Sequence, residues 1–523
     1  MPRHAFTLPI SLARDGGKPY KQQIVSQIEW LIVSGRLQAD DRLPSIQRLT
    51  TMLGVARNTV LNAYECLTGA GLLRCEAGRG FFVAVDAPRI TMPARRTTTS
   101  QPCSEHPPDY CAMSAAPRPP GVHASPPAAP VRFDFKVGRP APEAFPWRRW
   151  ATLSNSLLRH MGCAMTEYTA PEGLWGLRVQ IADYLSATRA LPVRPEQIIV
   201  VAGIQEALNL LAAHYVRPGT QVAMESPGYA GFENLLLRHD ARCLRVPVDT
   251  HGLCTDALPE TCTGLVYTTP SHQYPLGHVM SLQRRRALLA WAARVDALVI
   301  EDDYDGDFCY DGVPLPPLMT MDPSRVIYLG TFSKVLGPGL RLGFMACPHG
   351  LVEAMARHKA LLNNGCPWLD QAVLARLFEH GDYSRHLYGL RHRYRAQRDA
   401  MLDGLRQIWG DACEISGAGA GMHLVLRLPA DGPTASEITR RALACGVRLY
   451  PLPDAASGPA NGLEDRVILF GYAALDVHEI AEATRLLKSA LAAGPSTASG
   501  LAKLADGDVS APPPSCQNAP PAP

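Results

Sequence analysis

The sequence has no long hydrophobic run, no excess of charge of one sign and no paired cysteine motif. No apolar stretch approaches the roughly 20 residues that cross a bilayer, so we expect no membrane-spanning segment. Residues 1–14 lack the sustained apolar core of a signal peptide. The 14 cysteines are scattered, with neither a CxxC pair nor zinc-site spacing. This pattern favours reduced thiols, a cytoplasmic protein and no bound metal.

Charge and length set two further bounds. The net charge of the 523-residue chain is only +3, which excludes a protein that binds polyanions over its whole surface. Any affinity for nucleic acid therefore has to come from a local basic face. The length exceeds what one ordinary hydrophobic core accommodates, so we expect two or more domains.

Composition divides the chain into four segments. Residues 1–85 alternate short helical patterns with turn signals, and residues 131–492 alternate apolar β-rich runs with helical patterns. Between them, residues 86–130 are rich in Pro, Ala, Ser and Thr and nearly lack large aliphatic side chains, which predicts an extended linker. Residues 493–523 form an Ala/Pro/Ser/Gly-rich tail that we expect to be disordered.

The segment 131–492 contains six apolar runs that predict buried strands. Near-continuous apolar strands between helices are typical of a mostly parallel sheet in an α/β domain. The runs are Ile198–Val201, Gln221–Met224, Leu265–Thr268, Leu298–Ile300, Val326–Leu329 and Leu342–Ala346.

Residues 19–83 carry the pattern of three helices and a hairpin. Apolar spacing predicts a helix over Pro19–Ser34, a second helix capped by Ser45, and a third over Ala56–Gly69. A short turn joins the last two helices, which is the geometry that places a helix N-terminus in the major groove. The third helix opens with Arg57-Asn58-Thr59, and Arg can read guanine while Asn reads adenine.

The hairpin after the third helix is a predicted wing. Gly78 and Gly80 would allow its backbone to approach the DNA phosphates closely. Tyr64 is expected in the core, and Arg74 has an alternative interpretation as a solvated charge. The other interpretation of the whole module is a helix-turn-helix used only for protein contacts. The predicted DNA-binding residues are Ser45, Arg48, Arg57, Asn58, Thr59, Arg74, Arg79 and Gly80.

This module resembles the GntR-type winged helix. Gln47 stands where that family usually has Arg, with Arg48 beside it, Ala56 replaces the usual capping Ser, and Glu76 replaces an often basic wing residue. We therefore expect an operator preference that differs from that of better-matched members. The matching motifs are Leu-Pro-Ser at 43–45, Leu-Gly-Val-Ala-Arg-Asn-Thr-Val at 53–60, Ala-Tyr at 63–64 and Gly-Arg-Gly at 78–80.

The predicted strands end in segments that suit pyridoxal 5'-phosphate (PLP). This cofactor needs a lysine, an anion near its pyridine nitrogen, a phosphate cup and an aromatic face. In an open α/β sheet these groups belong at the carboxyl ends of strands. The candidate segments are Ala202–Glu206, Glu225–Tyr229, Thr269–Gly277, Glu301–Asp305 and Gly330–Gly343.

Together these segments resemble fold-type I aminotransferases. Glu-Asp-Asp-Tyr-Asp at 301–305 and Ser-His-Gln-Tyr-Pro at 271–275 more narrowly resemble the MocR/GabR group of regulators, which join such a domain to a GntR-type head. The resemblance covers nearly the whole chain except the linker and tail.

The resemblance implies a role for each site residue. Lys334 would form the Schiff base, Asp302 would pair with the pyridine nitrogen, Tyr304 would bond the ring oxygen and Tyr229 would stack on the ring. Tyr274 takes the place of an Asn that bonds the ring oxygen in aminotransferases, with His272 nearby. The phosphate would be held by Gly203, Ile204, Thr331, Ser333 and Arg341.

One position departs from the aminotransferase pattern. In the strand Ile468–Ala473, the resemblance places Leu469 where aminotransferases carry the Arg that grips the substrate carboxylate. Arg466 lies three residues earlier. A buried leucine cannot hold a carboxylate, so amino-acid transamination is doubtful.

The leading hypothesis is a transcription regulator that binds double-stranded DNA and senses PLP, or an amino compound that attacks the Lys334 aldimine. An active aminotransferase with a DNA-binding appendage is the alternative. A third interpretation is a plain repressor whose large domain is only a dimerisation scaffold. The resemblance also implies a homodimer whose linkers let each head cross to its partner.

Overall fold

The structure is a computed structural model that describes residues 10, 12, 19–33, 36–76, 78–85, 131–160, 162–260, 264–312, 314–460 and 462–492. The chain divides into two compact units, Met1–Ala115 and Ala116–Pro523. The predicted linker and tail lie outside the described residues, so the predicted domain boundaries stay predictions. Within the described ranges, no helix is long and apolar enough to cross a membrane.

The first unit contains the predicted helices and hairpin. Ser45 caps the second helix by accepting a hydrogen bond from the Arg48 amide at 3.2 Å, and Gly54 ends it at a φ of 64°. The Tyr64 side chain is fully buried, and its hydroxyl donates to the Pro44 carbonyl at 2.9 Å. The elements are α1 (Tyr20–Val33), α2 (Ile46–Leu53), α3 (Arg57–Gly69), β1 (Leu73–Glu76) and β2 (Gly80–Val83).

The second unit alternates strands and helices, as the sequence predicts. Its strands are β3 (Phe133–Asp134), β4 (Ile198–Val201), β5 (Gln221–Ser226), β6 (Arg242–Asp249), β7 (Gly252–Leu253), β8 (Leu265–Thr268), β9 (Leu298–Asp302), β10 (Val326–Thr331), β11 (Gly343–Ala346), β12 (Glu414–Ser416), β13 (His423–Arg427), β14 (Val447–Arg448), β15 (Tyr450–Pro451) and β16 (Val467–Gly471). Its helices are α4 (Trp147–Arg159), α5 (Trp175–Arg189), α6 (Ile204–Tyr215), α7 (Ala230–Arg238), α8 (Leu282–Val295), α9 (Leu318–Met321), α10 (Val352–Asn363), α11 (Trp368–Glu379), α12 (Asp382–Trp409), α13 (Ala435–Ala444), α14 (Leu452–Ala455) and α15 (Val477–Ala492).

The main sheet has eight strands in the order β4-β11-β10-β9-β8-β5-β6-β7. The central pairings from β10 through β6 are parallel, which confirms the predicted mostly parallel sheet. β11 runs antiparallel to both of its neighbours. Its first residue, Gly343, pairs with Thr331 at the end of β10 and with Val201 at the end of β4. The loop before β11 therefore meets the loops that follow β4 and β10.

Both faces of this sheet are buried, which explains why its strands read as continuous apolar runs. Along β4, Ile199 and Val201 pack into one core cluster with residues of α6 and α10, such as Leu208 and Met355. The alternate residue Val200 packs into a second cluster on the other face, with residues of α5, α8, α11 and α12. Helices thus cover both faces of the sheet, and the loops that follow the carboxyl ends of the strands carry the predicted site residues.

A smaller sheet follows the main one along the chain. Its strands lie in the order β12-β13-β16-β15, and all of their pairings are antiparallel. Among these strands the sequence predicted only the segment around Leu469. The other three, of two to five residues, are not among the strands that the sequence predicts.

Candidate functional site

The start of α3 presents the predicted base-reading residues to solvent. Arg57 and Asn58 are exposed and Thr59 is half-buried, whereas Val60 and Tyr64 face the core. The residue before the helix is Ala56, and it makes no side-chain capping bond. This is the exposure that a recognition helix needs.

The wing arginines are held by acidic neighbours. Arg74 forms ion pairs with Asp40 and Glu76, and Arg79 pairs with the second oxygen of Glu76 at 2.7 Å. Both guanidinium groups also lie over the Phe82 ring, at 5.2 and 5.8 Å from its centroid. Since Arg74 has two acidic partners and Arg79 is the more exposed, the geometry favours Arg79 as the DNA contact.

The reactive lysine candidate lies just after β10. The Lys334 ammonium donates to the Gly138 carbonyl at 2.9 Å. Burial lowers the pKa of Lys334, although the charges of Asp305 and Asp302 raise it in part. A lowered pKa increases the fraction of neutral amine, the form that attacks a carbonyl.

Asp302 is the last residue of β9 and is almost fully buried. One of its carboxylate oxygens accepts from the Tyr267 hydroxyl at 2.7 Å. The other, Oδ1, is buried and has no hydrogen-bond partner among the described residues. Burial raises the pKa of Asp302 to about 7, although the Tyr267 hydrogen bond lowers it. The free oxygen lacks a donor, and a protonated pyridine nitrogen is a donor of the required kind.

Three loops form a cup at the edge where β4, β10 and β11 meet. Arg341 donates from its guanidinium to the Ala202 carbonyl, and a Cβ on Gly203 would lie 2.9 Å from the same nitrogen. The Thr331 hydroxyl bonds the Ser333 hydroxyl at 3.0 Å. Gly203 has a φ of 85° and precedes α6, whose first amides include that of Ile204. Free amides and a guanidinium are groups that hold a phosphate.

Aromatic residues line the same edge. The Tyr229 hydroxyl donates to the Gln205 side chain at 2.9 Å, and its ring stands edge-on to that of Tyr274, with centroids 6.1 Å apart. Burial raises the pKa of Tyr229 to about 12. Tyr274 donates to the Ala455 carbonyl at 2.6 Å, so its hydroxyl is already used within the protein.

Tyr304 belongs to a buried polar network. Its hydroxyl lies 3.3 Å from His272 Nδ1, which is also 2.8 Å from an Asp305 oxygen. His423 lies beside His272, with ring centroids 4.8 Å apart, and bonds the Pro275 carbonyl at 3.0 Å. The ligand atoms of His272, Asp305 and His423 lie within 4.8 Å of one another, a spacing that could also hold a metal ion. His272 Nδ1 lies within hydrogen-bonding distance of Asp305 and Tyr304, whereas its Nε2 is buried and has no hydrogen-bond partner among the described residues. We interpret the Nδ1 contacts as support for Tyr304.

Three partners of the site residues are not predicted from the sequence: Tyr267, Asp305 and Gly138. The signal for Tyr267 was its place at the end of a predicted strand adjacent to that of Asp302. Asp305 lies in the segment Glu301–Asp305, which contains four carboxylates. The sequence does not indicate which of the four contacts His272. Gly138 has no sequence signal, because it lies 196 positions from Lys334.

The strand position that departs from aminotransferases is fully apolar. Leu469 is completely buried in β16, in a core cluster with Leu276, Val425 and Leu452. Arg466 donates to the Pro429 and Gly432 carbonyls, at 3.0 and 2.9 Å. Neither residue offers a free cation to a carboxylate.

Comparison with family models supports both units. Residues 20–83 match the bacterial regulatory proteins of the gntR family, and residues 141–452 match aminotransferase class I and II. The structure is similar to that of LysN, an α-aminoadipate aminotransferase from Thermus thermophilus, with a TM-score of 0.62 and 31% identity, covering 71% of this chain and 93% of LysN. That structure holds N-(5'-phosphopyridoxyl)-L-leucine.

Relatives with both units are transcription regulators. The chain is 34% identical to the regulator YhdI of Bacillus subtilis, over 91% of this chain and 96% of YhdI. It is 33% identical to the probable rhizopine catabolism regulatory protein MocR of Rhizobium meliloti, over 92% and 96%. It is 34% identical to the pyridoxine biosynthesis regulator PdxR of Corynebacterium glutamicum, over 80% and 85%.

A gntR-family head joined to an aminotransferase-fold domain defines a DNA-binding transcription regulator. Within that class, the chain belongs to the MocR-type regulators, as its motifs at 271–275 and 301–305 indicate. The aminotransferase-fold relatives of its large domain depend on PLP.

The raised pKa of Asp302 predicts a pH dependence for the cofactor-free protein. The folded-state pKa of about 7 lies above the unfolded value of about 4, so the native state holds this proton more tightly. Stability should therefore fall as pH rises from about 4 to 7, by at most about 1.4 kcal/mol per pH unit from this group. Thermal midpoints of wild type and Asp302→Asn measured across that range should converge towards low pH. Parallel curves would contradict the assignment.

The exposure of Arg57 predicts a role in DNA binding. Arg57→Gln should weaken binding to a short duplex and reduce the slope of log affinity against log salt by about 0.9 if it neutralises one phosphate. Fluorescence anisotropy at several salt concentrations measures both quantities. Arg376→Gln, which removes an equal charge from α11 of the large domain, is the matched control and should behave as wild type. An affinity and a slope equal to those of wild type would show that Arg57 does not contact DNA, whereas weaker binding with an unchanged slope would indicate a base contact.

Proposed function

We propose that the large domain binds PLP through Lys334 and Asp302 and that this binding controls how the DNA-binding heads meet their operator. The observation that carries the proposal is the partnerless Asp302 Oδ1, a buried oxygen in the part of the chain that the structure describes. It lies at the same sheet edge as Lys334 and the Arg341 cup. A structural carboxylate would be expected to have both oxygens satisfied.

Each residue has a defined task in this proposal. PLP would supply an aldehyde and an electron-withdrawing ring. The Lys334 amine would bind it covalently, and Asp302 would hold a proton at the ring nitrogen through Oδ1. Arg341, Thr331, Ser333 and the amides that follow Gly203 would orient the phosphate. Tyr229 would cover one face of the ring, and Tyr304, fixed by His272, would donate to the ring oxygen.

The apolar environment of Leu469 favours PLP itself, rather than an amino acid, as the signal. An amino acid needs a cation for its carboxylate, and Leu469 and Arg466 do not provide one. The relative PdxR carries pyridoxine biosynthesis in its name. A regulator whose DNA affinity differs between cofactor-bound and cofactor-free states would report the PLP supply, since binding at one site shifts the other by linkage.

An active aminotransferase is the second candidate function. The complete set of Lys334, Asp302 and Arg341 favours it, and Leu469 disfavours it. Steady turnover of an amino donor with a keto-acid acceptor would establish it. A protein that neither carries nor binds PLP would instead support a large domain that serves only as a scaffold.

The proposal includes a homodimer. Two heads on linkers of residues 86–130 would gain affinity for paired half-sites, because binding of the second head is intramolecular. The same linkers would let each head cross to the large domain of its partner. We also propose a cytoplasmic location, where operator DNA and PLP are both available.

Lys334 provides the direct test of the proposed function. Lys334→Ala should abolish the covalent, long-wavelength absorption band of bound PLP and the PLP-dependent change in DNA affinity, while DNA binding without PLP is unchanged. Absorption spectra and anisotropy with promoter DNA from the protein's own operon measure these effects. Lys488→Ala, at an exposed position of α15, is the matched control and should respond as wild type. An unchanged response in Lys334→Ala would refute the proposal.

Absorption spectroscopy can distinguish PLP itself from an amine or amino acid as the signal. We expect the absorption band of the PLP-loaded protein to stay unchanged across a panel of amino acids and amines, because neither Leu469 nor Arg466 offers a free cation to a carboxylate. A change with one compound would identify an amine effector and would place its anchor at a residue other than Leu469.

A further inference from the structure

A buried ion pair lies directly behind the proposed phosphate cup. Glu206 is the third residue of α6, and one of its oxygens accepts from the Ala202 amide. Its other oxygen, Oε1, accepts from the Lys359 ammonium at 2.9 Å and from the Asn363 amide at 2.6 Å. Lys359 is completely buried on α10, and its nitrogen also lies 3.3 Å from the Cys366 sulfur.

The pair fixes the peptide that shapes the cup. The Ala202 amide is bound by Glu206, and the Ala202 carbonyl is bound by Arg341. Both backbone polar groups of Ala202, the residue immediately before Gly203, are therefore held by side chains. Glu206 thus positions the turn from which the phosphate-binding amides start.

The position of Glu206 also creates an electrostatic conflict. A carboxylate in the first turn of α6 lies beside the amides that would bind a phosphate dianion, and like charges repel strongly in a buried site. Lys359 bonds the Glu206 oxygen that does not contact the Ala202 amide, so a positive charge lies beside the carboxylate and opposes that repulsion. Asn363 is neutral and cannot do so.

We infer that Lys359 is a positioning residue for phosphate recognition: it neutralises Glu206, so that the turn stays fixed while the cup remains receptive to an anion. The inference rests on the proposed function, because it assumes that PLP binds at this cup. The proposed effect of Lys359 is on the phosphate alone, and it does not involve the contacts of the pyridine ring or of Lys334. The effect of a substitution should therefore depend on whether the ligand carries a phosphate.

The test compares PLP with pyridoxal, which has the same ring and aldehyde but no phosphate. Lys359→Met keeps an unbranched side chain that is one atom shorter and removes the charge, so Glu206 is left uncompensated. The dissociation constant for PLP should rise by about tenfold or more, the effect of one nearby buried charge. The constant for pyridoxal should stay within about twofold of wild type, since its binding does not involve the cup. Equal losses for both ligands would show that Lys359 has only a structural role.

Glu206→Gln removes the negative member of the same ion pair and keeps a side chain of the same shape. It therefore distinguishes an electrostatic role of the pair from a structural one. This variant removes the repelling carboxylate and leaves the Lys359 charge, so PLP should bind as tightly as to wild type or more tightly. The double variant Glu206→Gln/Lys359→Met is electroneutral again and should return to within about threefold of wild type. A merely structural pair would instead weaken PLP binding in both single variants.

The outcomes distinguish this inference from the proposed function. If wild-type protein binds no PLP, the proposed function fails and the inference falls with it. If wild type binds PLP and Lys359→Met binds it equally well, only the role of Lys359 is refuted. Should Lys359→Met not fold, Glu206→Gln decides alone, because weaker PLP binding by that variant overturns the inference.

Discussion

The antiparallel insertion of β11 between β4 and β10 is the constraint on which the cofactor pocket depends. In a fully parallel sheet, the residues before a strand lie at the opposite edge from the residues that follow its neighbours. Because β11 is reversed, the loop that carries Arg341 reaches the edge where β4 and β10 end. The pairing of β4, β11, β10 and β9 thus brings the cup, Lys334 after β10 and Asp302 at the end of β9 to the same edge of the sheet. Side-chain contacts such as that between Arg341 and Ala202 refine this arrangement.

Buried charge distinguishes this pocket from an ordinary sheet edge. Asp302 and Glu206 lie on elements that also contribute to the apolar core. Asp302 accepts a hydrogen bond from Tyr267, and Glu206 accepts from Lys359, Asn363 and the Ala202 amide. Removing Lys359 would leave the Glu206 carboxylate as an uncompensated buried charge, which costs about 3–5 kcal/mol. These hydrogen bonds position both carboxylates without a contribution from a ligand.

Much of the fold follows from sequence patterns, but the pairing of the site does not. The strand over Ile198–Val201 and the helix that starts at Arg57 are marked by apolar runs and by turn residues on either side. The reversal of β11 is not visible in its sequence, because Leu342–Ala346 is apolar in either direction. Contacts such as that of Lys334 with Gly138 join distant positions and depend on the tertiary fold alone. Motif resemblance identified Lys334 and Asp302, whereas their partners emerged only from the structure.

The uncapped start of α3 has a consequence for the free regulator. The Ser45 side chain caps the first turn of α2, whereas Ala56 has no side-chain oxygen to offer the first amides of α3. A DNA phosphate that approached this end would fill the missing role and would complete the helix as it bound. Part of the binding free energy would then order the first turn of the recognition helix. A substitution that increases fraying of this turn in the free protein would therefore lower the affinity for DNA.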